Sequence, residues 1–322
     1  MLKFNLKPMT MKKLLKANNV YLSKTERLFY CDCKIKISTK YDVQIIDQCF
    51  EAMSEIDQKY NSYQENSFVD QINKNSGNWV KVDHQLIDLL QIIKKVSSIT
   101  SGAYDITSMP LIRLWGFYNE EINLVPSSGD IEKIKQKIDY SKIEIDGNSV
   151  KINKGQEIIT GSFIKAFAVD KAIEILKENG VEDALINAGG STIKVINNAE
   201  HPTWGIKIPD AKTSVYNEKA EILISNECFS LSGRNENYIT IGTQKFGHIL
   251  NAKTGFPSET SQVGVICEQA FLSDILSTAL FAVEPNQFPN VLKKLQENFE
   301  FEFYRIENNG FTTKSLCFSS LL

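Results

Sequence analysis

Residues 247–283 read GHILNAKTGFPSETSQVGVICEQAFLSDILSTALFAV, and three kinds of structure follow one another within them. GHILNAKTGFP (247–257) is polar and broken by glycine and proline, as irregular binding loops are. Residues 261–267 form a β-like apolar run. In QAFLSDILSTALFAV, Leu272, Ile275, Leu276, Ala279, Leu280 and Val283 recur at helical spacing, which predicts a helix with a buried face. Asp274 and Thr278 stand four residues apart, so their oxygens share one helix face. A carboxylate and a hydroxyl so placed are hard ligands of the kind that hold Mg²⁺ beside phosphate oxygens. The pair also has an ordinary structural reading. Asp274 can favour the helix N-terminus, and Thr278 can bond back to a carbonyl.

The 322 residues can bury a large core, and 42% apolar with 23% charged residues is ordinary for a globular protein. A formal charge of −3 with both signs interspersed removes the electrostatic case for nucleic acid as the main partner. MLKFNLKPMTMKKLLKANNV (1–20) is basic but holds no apolar core and no small-residue cleavage site. No run is long enough to span a bilayer. The sequence as given therefore points to the cytoplasm, or to the periplasm if an export signal has been removed. The six cysteines contain no CxxC, so neither a zinc site nor a disulfide framework is indicated. Cys31 and Cys33, two apart in a strand-like run, share a face and read as packed thiols.

Outward from the opening stretch, residues 28–38 alternate as a strand, and Val43, Ile46, Phe50, Met53 and Ile56 make a helical stripe. Residues 61–77 read as a loop with a short helix inside it, and Leu86 to Val96 as a helix ending before Ser101-Gly102. SGAYDITSMPLIRLWGF (101–117), with a buried-looking Trp115, reads as a compact binding loop. After a loop at 118–128, Asp130 is expected to cap a helix. Strands at 142–146 and 149–153 meet at an Asp146-Gly147 hairpin. Residues 161–180 are a helix ended by Asn179-Gly180, and 181–195 run strand, glycine pair, strand. Further β-like pieces fall at 203–208, 219–225, 237–241 and 261–267. Phe288 to Leu295 make a short helix, and alternating Phe299, Phe301 and Phe303 lead through Asn309-Gly310 into a last strand. The expected fold is α+β with mainly antiparallel sheets and packed helices, one catalytic unit over residues 1–322. Residues 1–27 are expected to be a poorly ordered extension.

No P-loop, Rossmann fingerprint or GxSxG elbow is present, and three histidines make a multi-histidine zinc site improbable. What remains is a set of glycine-rich irregular segments: 102–116, 161–165, 187–191, 230–234 and 248–255. Glycines let backbone amides approach an anion closely. Lys165, Arg234 and Lys253 supply positive charge, each also readable as a solvated surface residue. His248 is the histidine that falls inside one of these segments; a lone histidine can be structural or, beside a phosphate site, a general base.

Taken in order, these segments resemble one family, the ApbE-type FAD:protein FMN transferases. SGAYDITSMPLIRLWGF is similar to a GAFDPTVGPLVNLWGF-type segment, and GSFIKAFAVDKA to a GGIAKGYAVDRA-type helix. ALINAGGSTIKV, FSLSGR, GHILNAKTGFP and SDILSTALF resemble the paired-glycine strand, the TSG segment, HIIDPRTGRP and ADALSTALF, and SYQENSFVDQIN an N-terminal Ser-rich segment. The matches cover roughly residues 28–318. The resemblance implies a flavin cleft in which FAD is substrate. The FMN half would move to a threonine or serine hydroxyl of an acceptor flavoprotein, and AMP would leave. It implies Mg²⁺ on Asp274, Thr278 and the carbonyl of Ile164. It gives His248 and Lys165 catalytic roles, and flavin contacts to Tyr63, Asp105, Lys165, Asn187, Gly189, Gly190, Ser232 and Ile249. Asn251-Ala252 stand where the family has Asp-Pro, Ile159 stands for an Asp, Ser162 and Ala166 for glycines, and Leu231 for a Thr. Losing two acids from the site is expected to weaken or retune transfer. Two alternatives therefore stay open: an FAD pyrophosphatase yielding FMN and AMP, and a non-catalytic flavin-binding module.

Overall fold

The computed structural model of the chain describes residues 20–117, 124–235, 237–315 and 318. Its main sheet has eight strands: β1 (Tyr21–Leu28), β2 (Cys31–Ser38), β3 (Ala184–Ala188), β4 (Thr192–Ile196), β5 (Cys228–Gly233), β6 (Gln262–Cys267), β7 (Glu302–Ile306) and β8 (Thr312–Lys314). They lie side by side in chain order, and every neighbouring pair is antiparallel. The helices are α1 (Gln44–Tyr60), α2 (Phe68–Lys74), α3 (His84–Ile99), α4 (Met109–Trp115), α5 (Ser128–Lys135), α6 (Ile164–Glu178), α7 (Ala270–Ala282) and α8 (Phe288–Gln296). This is the α+β, mainly antiparallel architecture expected. None of these helices is long and apolar enough to cross a membrane.

The period of two in the central strands sorts the core into two halves. Ile186, Ala188, Val263 and Val265 join the larger cluster with α1, α6 and α7. Leu185, Ile193, Val195, Phe229, Leu231 and Ile266 face the other way, onto a hairpin of strands 204–209 and 216–224. The central strands are thus buried on both faces, which is why they read as near-continuous apolar runs. α7 is held at its start by α6: the Asp170 carboxylate accepts the Ala270 and Phe271 N–H groups, each at 2.8 Å. Those are among the orphan donors of a helix N-terminus, and a carboxylate there suits the dipole as well.

Several expectations shift. The strand expected at 28–38 is interrupted, because Phe29 (φ 52°) and Tyr30 (φ 61°) form a left-handed two-residue turn between β1 and β2. Neither residue is a usual turn former, so the sequence hid it. Residues 21–27 are not an extension but the edge strand; residues 1–19 lie outside those described. The segment 101–117 is a loop only as far as Ser108, and then α4 runs to Trp115 with Pro110 in its first turn. The cap of α5 is the Ser127 hydroxyl, which accepts the Asp130 N–H at 3.1 Å, so Asp130 is a first-turn acid rather than the cap. The loop expected at 118–128 falls partly outside the described residues. Residues 230–233, expected in an irregular segment at 230–234, belong to the fully buried strand β5.

Candidate active site

A cavity of about 1160 Å³ opens where these elements meet. Its wall includes the β1–β2 turn, the β3–β4 turn, the end of β5, the start of α6, one face of α7 and the loop after the 238–247 hairpin. Tyr63, Asp105, Ile164, Lys165, Gly189, Gly190, Ser232, His248, Ile249, Asp274 and Thr278 all line it. Asn187 does not. Its side-chain oxygen accepts the Gly190 N–H at 2.8 Å and so closes the β3–β4 turn. Gly189 and Gly190 have φ of 67° and 75°, which is why this turn takes two glycines. Their amides are not free for an anion, since Gly189 N–H donates to the Asp32 carbonyl and Gly190 N–H to Asn187. The phosphate-cradling role expected of this glycine pair is therefore corrected.

Asp274 carries the sharpest feature. Its Oδ2 is buried, and among the described residues it has no hydrogen-bond partner. Burial pushes its carboxyl up to about 6, opposed by the Lys165 charge and the nearby Thr192 hydroxyl. An orphaned buried carboxylate oxygen is costly, and a cation would satisfy it. One turn on, the Thr278 hydroxyl donates to the Asp274 carbonyl at 3.0 Å. The back bond set out as the plain structural alternative is thus real. It is also compatible with ligation, because a hydroxyl that spends its proton on a carbonyl keeps its lone pairs for a cation. Among the described residues no three His, Cys, Asp or Glu side chains converge as a metal cluster, so a soft or multi-histidine site is not what this wall offers.

Across the cavity, Lys165 sits on the first turn of α6, and its Nζ donates to the Ser191 hydroxyl. Arg234 follows β5 at the cavity wall, and its Nη2 donates to the Lys245 carbonyl at 3.1 Å. Lys253, the third candidate cation, is exposed and does not line the cavity. His248 is positioned twice by one carbonyl: both its backbone N–H and its Nδ1 lie 3.0 Å from the Asn237 oxygen. A carbonyl can only accept, so Nδ1 carries the proton and Nε2 keeps its lone pair. Burial, with help from the Lys165 charge, holds the imidazole below its ordinary value despite the Asn237 contact. The histidine is therefore neutral at neutral pH.

Asp105 looks similar to Asp274 but is fully engaged. Its Oδ1 accepts the Thr107 N–H at 2.8 Å and the Thr107 hydroxyl at 2.7 Å, and its Oδ2 accepts the Tyr140 N–H at 2.8 Å. Asn251 corrects an expectation of another kind. It is buried away from the cavity, and its side-chain oxygen accepts the Lys253 and Thr254 N–H groups at 2.9 and 3.2 Å. Its amide reaches Glu284 Oε1 at 3.4 Å. Asparagine here serves a turn, so no carboxylate is lost from the cavity wall at this position. Ile159 does line the wall. Sequence reading missed Tyr30, Cys31, Tyr104, Tyr216 and Gln262. Tyr104 lies within the segment 101–117 but is not among the expected contacts; the others sit in strand or turn contexts without a motif, and their convergence in space marks them.

The ApbE family model matches residues 30–303. The FAD:protein FMN transferase of Buchnera aphidicola is 27% identical over 84% of this chain and 82% of its own length. That of Haemophilus influenzae is 24% identical over 82% of this chain and 79% of its own. The crystal structure of the ApbE protein from Thermotoga maritima superposes with a TM-score of 0.84 at 25% identity, covering 94% of this chain and 99% of that one. The apo flavinyl transferase ApbE of Pseudomonas stutzeri shares the fold at 22% identity, with a TM-score of 0.77 over 94% of this chain and 98% of its own. With most of its length matched and its cavity built from the matched segments, the chain belongs to the ApbE family.

Proposed function

We propose that the cavity binds FAD and that the chain, working as one catalytic unit, transfers its FMN half to a threonine or serine hydroxyl of a partner flavoprotein, with release of AMP. The observation that carries this is Asp274 Oδ2, without a partner among the described residues and one helical turn from Thr278, on the wall of one cavity with Lys165 and His248. The curated relatives that match most of the chain are FAD:protein FMN transferases. The side-chain donors suit Mg²⁺: Asp274 and Thr278 offer hard oxygens on one face of α7, and the family resemblance adds the Ile164 carbonyl. Bound there, Mg²⁺ would offset the negative charge of a pyrophosphate under attack.

The chain's own residues supply the rest. Lys165 and Arg234 place positive charge at the cavity wall, where a phosphoryl group gathers negative charge as the bond to AMP lengthens. His248 Nε2 accepts the proton of the attacking hydroxyl, a nucleophile too weak while it keeps that proton. The Asn237 carbonyl fixes the tautomer needed for this and steadies the imidazolium once formed. Tyr63 offers a partly buried ring to the isoalloxazine, with its hydroxyl on Met109 Sδ at 3.9 Å. Asp105 supports the wall rather than the ligand.

The test is direct. Purified protein is incubated with FAD and Mg²⁺, with and without a candidate acceptor. AMP release only with acceptor, plus a covalently fluorescent acceptor band, supports transfer. AMP without acceptor supports the pyrophosphatase, and no AMP in either tube supports a binding module.

A further inference from the structure

The two thiols at the start of β2 are not both packed core groups. Among the described cysteines, Cys33, Cys49, Cys228 and Cys267 are buried, whereas Cys31 is partly exposed and lines the cavity. Cys31 Sγ and Cys33 Sγ are 3.9 Å apart on one face of the strand. The missing side chain of Gly189 makes room for Cys31: a Cβ there would stand 3.0 Å from both Cβ and Sγ of Cys31. The Cys33 thiol hydrogen-bonds to the Cys31 sulfur and the Lys165 charge faces it, and together they hold the Cys31 thiol down to about 7 against burial.

We infer that Cys31 is a peroxide-reactive thiol in the cavity wall, that Cys33 resolves it to a disulfide, and that the disulfide reshapes the flavin cavity. In the first step the Cys31 thiolate attacks one peroxide oxygen and the O–O bond breaks. Hydroxide or an alkoxide leaves, and Cys31 becomes a sulfenic acid, oxidised by two electrons. In the second step the Cys33 sulfur attacks the Cys31 sulfur. The S–S bond forms, and the sulfenic oxygen departs as water with the Cys33 proton.

Geometry couples this step to the cavity. Residues i and i+2 of a strand have Cα atoms about 6.6 Å apart, at the upper end of what a disulfide spans. Closing the bond therefore requires β2 to pucker at its first residue. Cys31 follows directly on Phe29 and Tyr30, the left-handed turn that itself lines the cavity. A pucker displaces that turn, and with it one wall of the site.

The experiment uses the full chain, reduced and then exposed to hydrogen peroxide, with peptide mapping by mass spectrometry. The expected product is a Cys31–Cys33 cross-link lighter by two hydrogens and reversed by dithiothreitol. Cys31→Ser should leave Cys33 reduced. Cys33→Ala should stop at a Cys31 sulfenic acid that dimedone traps. Cys31 staying reduced, or passing to sulfinic acid while Cys33 stays free, would overturn the inference. Its coupling to the cavity rests on the flavin reading, so FAD binding by the reduced and oxidised forms is measured separately by fluorescence. The oxidised form should bind about tenfold more weakly. Equal binding refutes the coupling, whereas no FAD binding by the reduced form counts against the flavin reading and leaves the mapped cross-link standing.

Discussion

Two walls of the cavity each contribute a buried aspartate, and the two are opposites. Asp105, in the loop before α4, and Asp274, on α7, are both pushed up to about 6, chiefly by burial. Asp105 accepts three protein donors, two from Thr107 and one from Tyr140. Asp274 leaves Oδ2 without any, among the described residues. Burial and a raised pKa therefore do not identify a ligand-binding carboxylate. Hydrogen bonds decide. A carboxylate whose oxygens are used by its own fold is part of the scaffold, and one at a cavity wall that has an oxygen without a partner among the described residues, with the Thr192 hydroxyl nearby, is a candidate ligand.

The largest expected effect tests that distinction in function. Asp274→Ala should lower the rate of Mg²⁺-dependent AMP release by 10³-fold or more, on the order seen when a key charge-stabilising group is removed. Release at the wild-type rate would break the assignment. Next comes His248→Ala, expected to cost about 10²- to 10³-fold in kcat with little change in FAD binding, as loss of a general base does. Added imidazole should restore part of the rate. A variant that loses FAD binding instead would make His248 a contact rather than the base.

The comparison also shows what was legible. Asp274 and Thr278 could be read from spacing because a helix puts i and i+4 on one face, and the structure keeps them there. Their cavity could not be read, since it is closed by residues far apart in the chain, Tyr30 and Cys31 at one end and Gln262 near the other. The antiparallel sheet is visible as many short apolar runs, yet residues 230–233 of β5 look irregular because Ser230, Ser232 and Gly233 interrupt the apolar pattern. Ser230 and Ser232 are buried on the α7 side, and Ser232 Oγ meets Ser277 Oγ at 2.9 Å, a pairing no local pattern announces. Asn251 misled for the same reason. A departure from a motif reads as lost chemistry until its partners show that it is turn geometry.

A smaller effect is expected in stability, with opposite outcomes at the two aspartates. Asp105→Ala strips an acceptor from Thr107 N–H, Thr107 Oγ1 and Tyr140 N–H at once, and should destabilise the fold by about 2–4 kcal/mol in denaturant titration. Asp274→Ala removes a buried charge whose Oδ2 has no partner among the described residues, and should be neutral or stabilising in metal-free protein. Equal destabilisation by both would erase the contrast between scaffold and site.

The subtlest effect is a pH dependence that belongs to Asp274. Its folded pKa is about 6, raised from an ordinary 3.8, so between those values the folded protein holds a proton that the unfolded chain has released. Metal-free stability should therefore fall as pH rises from about 4 to about 6 and then level off, a loss of roughly 2 kcal/mol for a shift of this size. Asp105 contributes in the same direction, which is why the measurement is a difference: wild type minus Asp274→Ala across that window, by thermal or denaturant unfolding. The difference should be near zero at pH 4 and largest, in favour of the variant, above pH 6. Millimolar Mg²⁺ should then shrink it for the wild type alone, because a cation on Oδ2 replaces the missing partner and favours the ionised form. A pH-independent difference, or one that Mg²⁺ leaves unchanged, would place Asp274 with Asp105 as scaffold.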